Sequence, residues 1–232
     1  MPLIKEIHIP TVTHIGFLNR EKADLTPGRD GPGLAVSDCP DAWRQIFRSN
    51  APDVILTNSA ALWVDALAFT PDCMTEIIAW AKQRDYLAPC QVWHANWTDP
   101  DTGAFKEATR ASYEAALALC GAQEAVMQDT GLCLQRRALK RLGRWSDPLD
   151  YYNAILILYT REVIIPKRPL ICGLWWREAL DIASGIAPGG QLMPEALGKF
   201  DVEDEDGDLV SFDNAFPDFV ALGANPTELL WD

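Results

Sequence analysis

The 232-residue chain lacks most of the signatures that tie a sequence to a chemistry. No apolar run reaches the ~18 residues that a membrane-spanning helix needs, and no charged and apolar leader pattern opens the chain. A cytoplasmic protein without membrane contact is therefore expected. Positive charge is scarce: 20 Lys and Arg against 33 Asp and Glu give a net charge of −13, and the only basic block is QRRALKRLGR, from Gln135 to Arg144. Phosphate neutralisation needs a basic face, so extensive nucleic-acid binding and attraction to anionic membranes are both disfavoured. The six cysteines include no C-x-x-C and no pairing with histidine at zinc spacing, which reads as free thiols in a reducing compartment. There is no H-E-x-x-H, no G-x-S-x-G and no complete G-x-G-x-x-G, so a zinc protease, an ordinary α/β-hydrolase and a dinucleotide fingerprint are all missing. Gly31-Pro32-Gly33 and Gly189-Gly190, without a following Lys-Ser/Thr, read as turns. The three histidines, His8, His14 and His94, are too scattered for a metal site.

Apolar mass is plentiful. The chain is 48% hydrophobic and carries nine tryptophans, spread from Trp43 to Trp231, so most of them belong to a core. Extended segments are expected at Leu3–Ile9 and Thr11–Leu18 around Pro10, then at Gly33–Ser37, Asp53–Thr57, Ala61–Phe69 and Cys90–His94. Asn19–Pro32 and Asn96–Gly103 read as loops, and helices are expected at 38–49 and from Thr70-Pro71 to about Asp85. From Ala104 to Arg161 the composition turns to good helix formers, and three helices are read at about 104–120, 122–142 and 148–160. Strands return at Val163–Ile165 and Leu170–Trp176. A hairpin is expected around Asp206-Gly207, with arms at Lys199–Val202 and Leu209–Phe212. The sum is a single α+β domain with a split mixed or antiparallel β core, a helical insertion at about 104–161 and an acidic hairpin at about 199–212.

Chemistry concentrates between Arg168 and Phe212. Adjacent residues on a strand point to opposite faces, so one of Trp175 and Trp176 enters a core and the other lines a surface or pocket. Glu178 lies two positions beyond Trp176, and a carboxylate against an apolar wall is a tuned acid or base, or else an exposed residue on a short helix over Arg177–Ala183. Glu195 falls at a helix start, where the dipole favours its ionised form. The run Asp201–Asp208 fails as a calcium loop: with Gly207 at the sixth position, the first ligand would be Val202, which has no side-chain oxygen. It reads as a solvated hairpin tip. His14 is either a hydrogen-bonded strand residue or a catalytic-site contact, and His94, between Trp93 and Trp97, either sits in an aromatic pocket or simply packs there.

The order of His14 in THIGFL, Ser37 at the end of GLAVS and Glu178 in GLWWRE resembles the ADP-ribosyltransferase superfamily. In that family a strand histidine and a Tyr or Ser on a neighbouring strand clamp NAD, while a glutamate stabilises the ribosyl cation. The resemblance implies NAD as substrate, His14, Ser37 and Trp176 as contacts to it, and Glu178 as the catalytic carboxylate. Trp176 occupies the position two before Glu178, where the commonest pattern has a second glutamate. A macromolecular acceptor is implied and its identity is not. The competing expectation is a non-enzymatic acidic interaction or inhibitor protein, meeting a basic partner through the Asp201–Asp208 surface.

Overall fold

The computed structural model describes residues 4–16, 33–48, 50–121, 125–142, 147–176, 179–204 and 206–217. It is an α+β fold in which two sheets share one core and a third stands beside them. The first sheet has the order β1-β5-β9-β10-β3. Its strands are β1 (Glu6–His8), β3 (Leu34–Val36), β5 (Leu62–Asp65), β9 (Ile171–Trp176) and β10 (Gly189–Leu192). All neighbours in it are antiparallel except β5 and β9. The second sheet, β12-β11-β4-β2, is antiparallel and comprises β2 (Thr11–Ile15), β4 (Asp53–Thr57), β11 (Asp201–Glu203) and β12 (Leu209–Ser211). The expected split β core is present.

The chain passes between these two sheets five times, and three of the crossings have a local cause. Pro10 has no N–H for a ladder and separates β1 from β2, so the chain leaves one sheet and enters the other. The Asn58–Ala61 turn, with the Asn58 side chain accepting from the Ala60 N–H, carries β4 across to β5. A 3₁₀ segment, Pro194–Lys199, carries β10 to β11. Between the sheets lies one core built around Trp63, Trp175, Leu56, Phe200 and Phe212, all essentially without exposure.

A parallel pair needs a crossover, and the one from β5 to β9 occupies residues 66–170. It holds α2 (Pro71–Gln83), capped by Thr70 through the Cys73 N–H, and α5 (Tyr151–Tyr159), which is buried all along Ala154–Tyr159. These helices cover the outer face of the first sheet in a second core with Val64, Ile171 and Leu174. A helix apolar on every side suits that central position.

The crossover departs from an all-helical insertion. Among the described residues of this stretch, α-helix is confined to α3 (Tyr113–Cys120), α4 (Arg136–Leu142) and α5, where three longer helices were expected. Residues 105–110 and 126–134 are strands β7 and β8, flanking the long strand β6 (Leu87–Thr98) in an antiparallel third sheet. Alanine and leucine content favoured helix locally, and cross-strand pairing with β6 overrode it. Pro89 is tolerated inside β6 because β7 pairs only from Trp93 onward. β6 also runs to Thr98, through the start of the expected loop, and Asp99 then caps the turn to β7 by accepting from the Asp101 and Thr102 N–H groups. The expected strand at Val163–Ile165 is instead the end of a π-helical turn, Thr160–Ile164, running into a 3₁₀ turn at Ile165–Lys167. The Asn19–Pro32 loop and most of the tail from Asp213 lie outside the described residues.

Candidate functional site

His14 and Ser37 are drawn together across 23 positions. Thr13 and Ser37 exchange both backbone hydrogen bonds, at 2.8 and 2.9 Å, so the strands carrying the two residues are neighbours. This bridge is also where the first and second sheets touch along one edge. Along β2 the side chains alternate, and His14 shares the inward side of Val12, which is buried in the inter-sheet core.

The tautomer of His14 follows from its partner. Nδ1 lies 2.8 Å from the Ala35 carbonyl oxygen, which can only accept, so Nδ1 carries the proton. Burial pulls the pKa of His14 down, and the Ala35 hydrogen bond opposes that shift without reversing it. The ring is therefore neutral near pH 7, with Nε2 presenting a lone pair. Gly16 lies beside that nitrogen: a Cβ there would stand 2.4 Å from it. No protein group among the described residues hydrogen-bonds Nε2.

Ser37 has a different task. Its side chain is fully buried, its hydroxyl donates to the Pro188 carbonyl at 2.7 Å and accepts from the Cys39 N–H at 2.9 Å. Both bonds serve the joint between β3, the start of α1 (Pro40–Phe47) and the approach to β10. The Trp43 indole N–H donates to the same Pro188 carbonyl at 3.1 Å. The hydroxyl expected to contact NAD is thus committed to holding the frame.

Trp175 and Trp176 do point to opposite sides. Trp175 enters the inter-sheet core and meets Trp63 edge-on at 5.3 Å between ring centroids. Trp176 packs against the helical core on the outer face. It is separated by the first sheet from the side that His14 faces, and so does not join His14 in one cleft. Glu178 lies outside the described residues. Residues 181–186 form a turn closed by Asp181 and Ile186, whereas a short helix had been the alternative; Asp181 accepts from the Ala183 and Ser184 N–H groups and the Ser184 hydroxyl. Glu195 stands at the start of the 3₁₀ segment, where it receives Arg161 Nε at 3.0 Å.

Gly189 and Gly190 are strand residues, against the turn expected from sequence. A Cβ on Gly189 would lie 2.3 Å from the Trp43 ring, and one on Gly190 would lie 2.3 Å from the Trp175 ring. β10 passes between two indoles on opposite sides, and only glycines fit. That close approach is a function the Gly-Gly pair could not announce without knowing which tryptophans flank it.

Two further clusters lie in the crossover, the first of them around His94. In the third sheet, the Thr109 hydroxyl lies 2.9 Å from His94 Nδ1, and Asp129 approaches His94 Nε2 at 3.6 Å. With Asp129 two-thirds exposed, these residues form a solvated cross-strand ladder. Near the π-helical turn, the Tyr86 hydroxyl donates to Glu162 at 2.6 Å, with Arg141 3.9 Å from the same carboxylate oxygen. Pairing across 76 positions leaves no local sequence signal.

Among the described residues no cluster of three or more His, Cys, Asp or Glu is arranged to hold a metal, and no helix is long and apolar enough to cross a membrane. The class defined here is an α+β fold with a split mixed and antiparallel β core. No protein family, curated protein or solved structure matches the chain.

Proposed function

We propose that the chain is an ADP-ribosyltransferase-like NAD-binding enzyme, with His14 as the fixed polar contact. The observation that supports this reading is the joining of the His14 and Ser37 strands, with a neutral imidazole whose Nε2 remains an acceptor. Such a nitrogen accepts from a ribose hydroxyl or a carboxamide N–H of the nicotinamide half of NAD. Glu178 is the carboxylate assigned to the developing cation: loss of nicotinamide builds oxocarbenium-like charge, which a nearby anion stabilises. Ser37 supports the site as a structural hinge pin, and Trp176 has no part in it.

Thermal shift with NAD and an assay of nicotinamide release test the reading. NAD raises the melting temperature of the wild type, since a ligand that binds only the folded state stabilises it by mass action. His14→Ala loses that shift, whereas Glu178→Gln keeps it and loses nicotinamide release. A wild-type melting temperature indifferent to millimolar NAD would refute the assignment.

A second reading rests on a different observation. Asp201, Glu203, Asp204, Asp206 and Asp208 are all exposed on the β11–β12 hairpin, a concentrated anionic surface. That surface suits a basic protein partner. Retention on immobilised polylysine that falls with salt and with Asn and Gln substitutions in the hairpin would favour it, and retention unchanged by those substitutions would remove it.

A further inference from the structure

We propose that Cys90 and Cys133 form a dithiol modification site, closed to an internal disulfide by a small disulfide oxidant of the glutathione disulfide class. The register of the third sheet carries this inference. Cys90 stands opposite Gly131 and Cys133 stands opposite Ala88, in an unbroken antiparallel ladder. Paired residues share a face, and positions two apart on one strand share it again, so the two thiols are diagonal neighbours on one face. The other two corners of that rectangle are Gly131 and Ala88, which place almost no side chain between the sulfurs. Both cysteines are partly exposed, in contrast to Cys73 and Cys172, which are buried.

The thiols influence one another. Cys90 is pushed up to about 11, by burial first and by the adjacent Cys133 next. The Gln135 side-chain amide lies 3.7 Å from the Cys133 sulfur and points a donor at it. The raised pKa keeps the Cys90 thiol protonated and quiet toward bulk electrophiles, because the thiolate is the nucleophile. Exchange of Cys133 with a disulfide leads to a mixed disulfide that the neighbouring Cys90 then resolves.

The chemistry balances in two displacements. The Cys133 thiolate attacks one sulfur of the oxidant, the oxidant's S–S bond breaks, and one small thiol leaves carrying the proton that Cys133 gave up. Cys90 then attacks the Cys133 sulfur of the mixed disulfide, forming the internal S–S bond and releasing the second small thiol with the Cys90 proton. Two protein thiols are oxidised and one oxidant disulfide is reduced to two thiols. Diagonal Cα atoms in a ladder stand about 7–8 Å apart, beyond the usual disulfide span of about 4.4–6.8 Å. Closure therefore pulls β6 and β8 together, and a bond under such tension is readily reduced again. The site is reversible and independent of any NAD chemistry.

The test is to treat the full chain with glutathione disulfide, block remaining thiols by alkylation and map the peptides by mass spectrometry. A Cys90–Cys133 cross-linked peptide that disappears on reduction with dithiothreitol is the expected result. Cys90→Ser gives a stable glutathione adduct on Cys133 and no internal bond, and Cys133→Ser gives no internal bond, while circular dichroism shows both variants folded. The proposal is overturned if wild-type protein retains glutathione on either cysteine without cross-linking, or if both thiols are recovered fully alkylated after the treatment.

Discussion

The side chains that fix this molecule do so mainly by filling or vacating space between indoles. Replacing Gly190 by Ala would place a methyl 2.3 Å from the Trp175 ring, with the Leu174 carbonyl oxygen at 2.8 Å, so the overpacking cannot relax into a flexible tip. We expect Gly190→Ala to cost about 1–3 kcal/mol in urea denaturation. An unchanged midpoint would show that β10 does not run between the two rings. His14 offers a second test through linkage. Its folded pKa lies below the ordinary value of 6.5 because burial disfavours the imidazolium, so between those two values the unfolded chain binds more protons. The contribution of His14 is fully present above about 6.5 and is lost as pH falls toward the lowered folded value. Melting curves from pH 8 to pH 5 on wild type and His14→Gln isolate the effect, since every other group is common to both. The wild type should lose more stability than the variant on acidification, and parallel curves would contradict the buried, neutral ring.

At the level of elements, sequence and structure agree where a local rule was enough. Asp53–Thr57 is a strand end to end, and the Thr70-Pro71 cap starts α2 at Pro71. Asp206-Gly207 closes the β11–β12 hairpin, with Gly207 at φ +84°, a backbone region that glycine enters without strain. The opposite orientations of Trp175 and Trp176 followed from the period of a strand. The failures are also physical. The sequences of β7 and β8 favour helix in isolation through their Ala, Leu and Glu content; their strand state depends on pairing with β6, which no local window contains. Ser37 was recognised as a strand terminus, but its use as a hinge depends on Pro188, 151 positions away. Long-range joints of this kind are directly testable. Tyr86, just before β6, is tied through its hydroxyl to Glu162 in the π-helical turn at 2.6 Å. Tyr86→Phe leaves that partly exposed carboxylate with Arg141 at 3.9 Å as its remaining partner. We expect a loss of about 1 kcal/mol in denaturant titrations, the usual net worth of such a bond. No loss would mean that water replaces the hydroxyl at no cost.

For the whole molecule, the decisive arrangement is that one sheet serves two cores. Trp63 and Trp175 project from β5 and β9 into the inter-sheet core, while their strand neighbours Val64 and Leu174 project into the helical core on the other face. A cavity on one side therefore loosens strands whose alternate residues hold the other side. The third sheet is joined to this frame through Leu87 and Leu134, directly paired and both buried in the helical core. We expect the described fold to unfold as one cooperative unit. Ile157→Ala in α5 and Leu56→Ala in β4 remove fully buried side chains from opposite cores and should each cost about 2–5 kcal/mol. Each should also shift tryptophan fluorescence and far-ultraviolet circular dichroism together, because the shared sheet transmits the loss. Two separated transitions, with Ile157→Ala moving only one of them, would show that the first sheet does not couple its two faces. In that case the His14 strand would remain ordered after the helical layer melts.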